Sequence, residues 1–304
     1  MESGKYYIKH PSKFLNGTVR RLFGKWMSDE IYLKMLFRYK MDMKLNLKHP
    51  RTFSEKLQWI KINDRKPIYH SMVDKYDAKL FIDNVLGSGG GYTIPTLGVW
   101  DSFEGIDWDA LPNEFILKAT HDSGSYYIVK DKSKLDKQKC KQKLCACWNK
   151  DYYQLAMREW PYKGLKPRII AEQLLHDGRG DYLTDYKFYT FNGEPKFYYV
   201  TSGRGSTEGL KEDFFDIDGN LLDLNQEGFH NNSVTPPLPQ NLSTMIDFSR
   251  KLAKDTYHLR VDFYEVNGRL YCGELTFFDG GGMVKYTPDY WNLKLGDWIK
   301  LPTD

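Results

Sequence analysis

The sequence has little of several features that mark specialised classes of protein. Four cysteines among 304 residues are too few for a disulfide framework. No apolar run approaches the roughly 18 residues of a membrane span, and the first ten residues lack the apolar centre of a signal peptide. These absences argue against a disulfide scaffold and an integral membrane protein, and they predict a cytoplasmic protein without stable membrane insertion.

A large excess of charge of one sign is also lacking. The net charge is only +4 and the pI about 8.6, too mild for a dedicated nucleic-acid binder but suited to anionic substrates such as nucleotides or acidic sugars. No nucleic-acid partner is therefore expected. Cys140, Cys145 and Cys147 lie in a lysine-rich stretch without a nearby histidine, which favours reduced thiols over a zinc site.

The chain is long enough for two lobes, and its patterning is mixed. Thr52 and Glu55 are spaced as a capping box, which predicts a helix over 52–62. A second helix is predicted over 72–85 and a lysine-rich one over 135–149. Strands are predicted over 92–99, 114–119, 126–129, 185–191 and 196–201, and no internal repeat is found.

A small polar loop joins two of the predicted strands. His121, Asp122, Ser123, Gly124 and Ser125 connect the strand 114–119 to the strand 126–129. Backbone N–H groups can approach phosphate oxygens only where side chains are small. The pattern is therefore typical of a hairpin that covers phosphates.

The most informative stretch is a hairpin over 259–277. A two-residue Asn267-Gly268 turn would pair Asp262 with Gly273 and send Asp262 and Glu274 to opposite faces. A three-residue loop that includes Val266 would instead place these acids on one face, opposite an apolar face. The sorting of polar from apolar residues favours the three-residue loop.

That register would put four polar side chains together, which are Arg260, Asp262, Glu274 and Thr276. Two carboxylates beside a guanidinium are suited to hold Mg²⁺ and nucleotide phosphates. The alternative interpretation is an ordinary amphipathic hairpin whose acids face water.

Several longer motifs together resemble one protein family. They occupy residues 53–59, 73–76, 97–103, 118–124, 158–162, 167–172, 185–188 and 273–277. The chain resembles the ATP-grasp superfamily, and specifically its TupA-like family of bacterial teichuronopeptide and surface-polysaccharide gene clusters. The similarity extends from about residue 53 to about residue 299.

The resemblance implies an α+β ATP-grasp fold in which two α+β lobes clamp ATP. A helical N-terminal extension over 1–70 would replace the Rossmann-like domain that precedes many of these enzymes. The first lobe would cover 71–171, with its phosphate loop at 118–125. The second would cover 172–304, with the connector at its start and the metal-binding hairpin at 259–277.

The resemblance also implies a nucleotide site. Lys75, Lys118 and Lys187 would contact phosphates, and the ribose ligand stays open between Glu172 and Asp177. The remaining residues implied to bind ATP are His121, Asp122, Ser123, Gly124, Ser125, Gln173, Leu174 and Leu175.

Asp262, Glu274 and Thr276 would bind Mg²⁺ in such a protein, and Arg260 would stabilise the transition state together with Lys118 and Lys187. Related ligases have Asn where this chain has Thr276, which offers one hydroxyl and no amide. A second metal ion would then be held less well.

The activity implied is ATP-dependent ligation of a carboxylate to an amine through an acylphosphate. The partners would be a small amine or amino acid and a uronic acid of a capsule or cell-wall polysaccharide. A glycosyltransferase, an ATP-dependent kinase of a glycan precursor and a nucleotide-binding module without catalysis are the alternatives. The sequence leaves the oligomeric state open.

Overall fold

The structure is a computed structural model that describes residues 19, 23–87, 89, 91–178, 182–204 and 209–302. Most of the first 22 residues of the predicted N-terminal extension therefore lie outside the described part. The α-helices in it are α1 (Asp29–Met41), α2 (Phe53–Asn63), α3 (Ile68–Val73), α4 (Asp77–Leu86), α5 (Lys137–Leu144), α6 (Tyr152–Leu155), α7 (Leu242–Leu252) and α8 (Tyr290–Trp298).

Two antiparallel sheets organise the fold. The first has the strand order β1-β4-β2-β3, and the second has the order β10-β9-β5-β6-β7. Their strands are β1 (Thr96–Trp100), β2 (Phe115–Ala119), β3 (Tyr126–Val129), β4 (Ile169–Gln173), β5 (Asp185–Phe191), β6 (Glu194–Ser202), β7 (Lys211–Asp216), β9 (His258–Val266) and β10 (Arg269–Thr276); β8 (Asn225–Gln226) and β11 (Tyr286–Thr287) form a small third sheet.

Helix α2 begins where the sequence predicts. Thr52 caps its first turn by accepting from the Glu55 N–H, and the Glu55 carboxylate accepts from the Thr52 N–H in return. Its apolar face places Phe53, Leu57 and Ile60 in the large core cluster that also contains the apolar residues of the five-stranded sheet. The capping box thus fixes the start of a helix that supports this sheet.

The single helix predicted over 72–85 is wrong, because the chain breaks between α3 and α4. Asp74 is extended (φ −66°, ψ 124°), and its carboxylate accepts from the N–H groups of Tyr76 and Asp77. This local capping competes with continuous helix. Lys75 consequently lies in a bend rather than on a helix face.

The hairpin of β9 and β10 places Asp262 and Glu274 on one face, as predicted, but not through the predicted loop. Val266 pairs with Arg269, so the loop is the two-residue Asn267-Gly268 turn, with both residues at positive φ. This is the geometry of a type I′ turn, and the three-residue loop is wrong.

A β-bulge supplies the register shift instead. The pairing advances by one residue between Cys272 and Glu274, so Gly273 is unpaired in the ladder with β9 and Glu274 lies opposite Asp262. A Cβ atom on Gly273 would come within 2.3 Å of the Tyr264 ring. Only glycine fits this bulge without rearrangement.

None of the helices in the described ranges is both long and apolar enough to cross a bilayer. All four cysteines are free thiols, and Cys140 and Cys272 are buried.

Candidate functional site

A cleft of about 390 Å³ is lined by residues of both large sheets. The four-stranded sheet contributes Lys118 of β2 and Glu172 of β4, and the five-stranded sheet contributes Glu274 of β10. Lys75 reaches the same cleft from the bend before α4. Residues far apart in sequence are thereby brought to one concave surface, which is the usual setting of a ligand site.

The polar loop between β2 and β3 closes one side of this cleft. Ser123, Gly124 and Ser125 are among its lining residues, whereas His121 and Asp122 are buried and are not part of the lining that the described residues form. The Asp122 carboxylate accepts from the Ser125 hydroxyl at 2.5 Å. Asp122 thus stabilises the loop from its buried side, while Ser123, Gly124 and Ser125 line the cleft.

Lys75 connects the same loop to the bend between α3 and α4. Its ammonium donates to the carbonyl oxygens of Ala119, at 2.9 Å, and of Asp122. Burial lowers the pKa of Lys75, and the nearby acids Asp122 and Glu274 oppose this. The cationic group therefore lies between the loop and the hairpin of β9 and β10.

Glu172 lies between two lysines. Its two carboxylate oxygens are 2.5 Å from the ammonium groups of Lys79 and Lys118. Burial alone would raise the pKa of Glu172, but the two cations outweigh it and lower the pKa to about 2. Glu172 is therefore ionised at neutral pH and holds both lysines in place.

The polar face of the hairpin is an ion-pair network centred on Asp262. Arg260 donates to Asp262 through Nε at 2.7 Å and through Nη2 at 2.8 Å, and Lys187 donates from the neighbouring strand at 2.6 Å. Burial would raise the pKa of Asp262, but both cations lower it. The carboxylate is therefore charged although only 1% of the residue is exposed.

Arg260 extends this network in two directions. Its Nη1 donates to Asp279 at 2.6 Å, and its Nη2 lies 3.2 Å from the Thr276 hydroxyl and 3.8 Å from the Glu274 carboxylate. Burial opposes the charge of Arg260, yet Asp262 and Asp279 raise its pKa well above the ordinary value. The guanidinium stays cationic throughout the physiological range.

The donors on this face fit magnesium chemistry. Asp262 and Glu274 offer carboxylate oxygens and Thr276 a hydroxyl, which are the hard oxygen ligands that Mg²⁺ prefers. Asp262 already accepts three hydrogen bonds and retains one lone pair on Oδ1, whereas the Glu274 side chain is 43% exposed. No group of three metal-binding side chains occurs in the described ranges. Asp262, Glu274 and Thr276 therefore suit an ion that takes its other ligands from phosphate and water.

The structure brings most of the predicted nucleotide residues together, but not all. Lining residues that the sequence predicts are Lys75, Lys118, Ser123, Gly124, Ser125, Glu172, Gln173, Leu174, Leu175 and Glu274. Among the described residues, the lining does not include His121, Asp122, Asp177, Lys187, Arg260, Asp262 or Thr276. Of the two ribose candidates, Glu172 is occupied by lysines and Asp177 lies beyond the end of β4.

Sequence reasoning misses two residues that the geometry makes prominent. Lys79 shares Glu172 with Lys118, and its spacing of four from Lys75 was the available signal. Asp279 binds Arg260 and accepts from the Tyr189 hydroxyl at 2.6 Å. It lies in the short segment after β10, and no residue pattern there distinguishes it from a loop acid.

Comparison with protein families gives one match. Residues 55–300 match the family model described as TupA-like ATPgrasp, which is most of the chain. The comparison with curated proteins finds no match.

Solved structures that are similar to this chain have low sequence identity to it. They include D-alanine–D-alanine ligase from Helicobacter pylori, with 13% identity, a TM-score of 0.39 and coverage of 75% of this chain and 61% of that one. The corresponding ligase from Bacillus anthracis, complexed with ATP, has 15% identity, a TM-score of 0.39 and coverage of 68% and 55%. N5-carboxyaminoimidazole synthetase from Staphylococcus aureus has 12% identity, a TM-score of 0.39 and coverage of 68% and 44%. The chain thus spans between 44% and 61% of the length of these three proteins.

Proposed function

The chain belongs to the TupA-like ATP-grasp family, and from this premise we propose that it is an ATP-dependent ligase that joins a carboxylate to an amine. The observation that carries the proposal is the cleft between the two sheets. Three lysines and a loop of small residues line it on one side, and Glu274 lines it on the other. This is an arrangement of charges that suits a bound triphosphate.

The chemistry proposed has an electrostatic barrier, since an anionic carboxylate must attack the γ-phosphorus of an anionic triphosphate. Lys75, Lys79 and Lys118 lower the barrier by placing cations around the phosphates. Glu172 fixes two of these ammonium groups through its 2.5 Å ion pairs. The lysines are thus ordered before the nucleotide enters, which reduces the reorganisation that the reaction needs.

Asp262, Glu274 and Thr276 are the residues that would hold Mg²⁺. When bound, the ion neutralises phosphate charge and orients the terminal phosphoryl group. Lys187 and Arg260 hold the Asp262 carboxylate in one orientation. Arg260 stays cationic between Asp279, at 2.6 Å, and Glu274, at 3.8 Å, and its guanidinium is the group proposed to stabilise oxyanion charge on the acyl carbon.

The proposed reaction proceeds through an acylphosphate. The carboxylate oxygen bonds to the γ-phosphorus as ADP leaves, and the neutral amine nitrogen then bonds to the acyl carbon as phosphate leaves and the nitrogen loses one proton. This needs no nucleophilic side chain. The carboxylate proposed is that of a uronic acid in a bacterial capsule or cell-wall glycan, and the amine is an amino acid or small amine. This rests on family membership, as does the proposed location in the cytoplasm.

Mass spectrometry tests the proposal directly. Uronate-containing glycans are incubated with an amino-acid mixture, ATP and Mg²⁺, and the expected product carries the mass shift of an amide. Glu274→Gln, folded but lacking one metal carboxylate, is expected to give none. Hydroxylamine should trap the intermediate as a hydroxamate, whereas a kinase would give a stable phosphorylated glycan. Release of UDP rather than ADP, or tight ATP binding without turnover of any glycan, would reject the ligase in favour of the other functions considered.

A further inference from the structure

A second cavity, of about 450 Å³, lies on the other side of Arg260. Glu212 of β7, Tyr199 of β6 and Asp279 line it, with Lys40 and Lys285 also on its wall. Asp279 accepts a hydrogen bond from Arg260 at 2.6 Å. The same guanidinium lies 3.8 Å from Glu274, which lines the first cleft. Arg260 therefore connects a residue that lines one cavity to a residue that lines the other.

Strand pairing places this cavity on the face of the sheet that carries the reaction chemistry. Tyr199 is paired with Lys187, and Lys187 is paired with Asp262. Residues paired across strands share a face, and so do residues two apart on one strand. Glu212 is paired with Thr201, two residues after Tyr199. It therefore projects from the same face as Asp262.

Glu212 is a buried acid, and one of its carboxylate oxygens, Oε2, has no hydrogen-bond donor among the described residues. The residue is only 4% exposed. A buried acceptor without a partner is costly to the fold, and more so if it is charged. A ligand that brings a cationic donor into the cavity would satisfy it.

The inner part of the cavity wall carries two acids, and the outer part carries two lysines and Glu227. Glu212 is buried and the Asp279 side chain is 20% exposed, whereas Lys40 is exposed and the Lys285 side chain is 39% exposed, 3.8 Å from Glu227. Buried acids would repel the carboxylate substrate and attract an ammonium group. The outer lysines are suited to a carboxylate at the other end of the same ligand.

We propose that the second cavity binds the amine substrate as an amino acid, with its ammonium group on Glu212 and its carboxylate towards Lys40 and Lys285. The inference rests on the proposed function, for which it supplies the site of the second substrate. An amino acid held there approaches Arg260 from the side opposite to the nucleotide. After the ammonium group has given a proton to the Glu212 carboxylate, the neutral nitrogen would reach the acyl carbon without crossing the phosphate-binding side of the cleft.

Binding without turnover tests this site separately from the reaction. Each of the twenty L-amino acids is titrated by calorimetry into the wild-type protein in the presence of ADP and Mg²⁺. At least one is expected to bind, and Glu212→Gln is expected to weaken that binding at least tenfold. Glu194→Gln is the matched control, since it alters an exposed acid of the same sheet that pairs with Arg250 instead.

The lysines give a second, independent measurement. In the wild type, the amino acid should bind more tightly than the amine made by removing its carboxylate, and the double change Lys40→Met with Lys285→Met should abolish this preference. Both lysines are at least partly exposed, so this variant decides the matter if Glu212→Gln does not fold. Failure of all amino acids to bind the wild type, or binding unaffected by both variants, would overturn the inference. Failure of hydroxamate formation with amino-acid binding intact would instead overturn only the ligase.

Discussion

Lys118 and Glu172 form an ion pair of 2.5 Å across neighbouring strands, and Lys79 binds the other oxygen of the same carboxylate at the same distance. Breaking a buried ion pair leaves uncompensated charge in the interior. Glu172 is thus both a structural residue and the one that positions two phosphate-binding lysines.

Glu172→Gln is expected to lower the free energy of unfolding by about 3 kcal/mol at pH 7. The folded-state pKa of Glu172 is about 2, below the 4.5 of an ordinary glutamate. Its contribution is therefore complete above pH 4.5 and is lost as the pH falls towards 2. Urea unfolding at pH 7 and pH 4 measures the difference, with the exposed pair variant Glu114→Gln as control. An equal loss of stability at both pH values would contradict the assignment.

Glu274→Gln is expected to separate activity from stability. The side chain is 43% exposed, so stability should change by no more than about 0.5 kcal/mol. Loss of a metal carboxylate should lower ATP-dependent product formation by about 100-fold or more. ADP release and urea midpoints are measured on the same preparations. Glu104→Gln, an exposed acid paired with Lys141, should alter neither, and a Glu274 variant with full activity would remove it from the metal site.

Gly273→Ala tests the bulge. The new methyl group would meet the Tyr264 ring, and such overpacking costs about 1–3 kcal/mol. In a Tyr264→Leu background the obstructing ring is absent, so the same change should cost much less. Urea unfolding of the four proteins in this cycle measures the coupling. A cost that is equal in the two backgrounds would show that the ring is not what requires glycine there.

Glu212 should make stability depend on pH in the direction opposite to Glu172. Burial raises the pKa of Glu212 to about 7, Asp279 adds to the rise, and Arg260 and Lys187 oppose it. The unfolded glutamate ionises near 4.5, so the wild type loses stability between pH 4.5 and 7, where the unfolded chain has released this proton and the folded protein still holds it.

Glu212→Gln removes this loss. The variant should be more stable than the wild type by about 3 kcal/mol at pH 8, with the difference falling towards zero at pH 4.5. Urea unfolding at four pH values between these limits gives the curve. A difference that does not vary with pH would mean that Glu212 is not a perturbed acid.

The fold was predictable from the sequence where local chemistry and distant packing agree. The Thr52 and Glu55 cap marks a helix start that the structure confirms, and strand β5 occupies the predicted residues 185–191. Helix boundaries were less accurate. The lysine-rich helix predicted over 135–149 is regular only over Lys137–Leu144, since Cys145–Lys150 continues as turns.

The candidate site, like the fold, was predictable from the sequence only in part. That Asp262 and Glu274 share a face was predictable because alternation sorts polar from apolar residues, but the cause of that arrangement was not. The Asn267-Gly268 dipeptide indicates the type I′ turn with two positive φ angles that the structure has, whereas the ring beside Gly273 is a tertiary fact that no residue pattern displays. Lys79 and Asp279 escaped prediction because each acts through a partner far away in sequence, Glu172 for Lys79 and Tyr189 for Asp279.

Deletion of Gly273 would leave the rest of the strand pairing in place. With that residue deleted, Cys272 would still lie opposite Phe263 and the next residue, Glu274, opposite Asp262, in a ladder free of interruption. Because Gly273 is present, the bulge is needed to bring Glu274 opposite Asp262, since a regular ladder would place Gly273 there. Gly273 leaves a segment of main chain without a side chain on the cleft wall, next to the Tyr264 ring. A variant without this residue should keep the polar face of the hairpin and change the shape of the cleft wall that a nucleotide contacts.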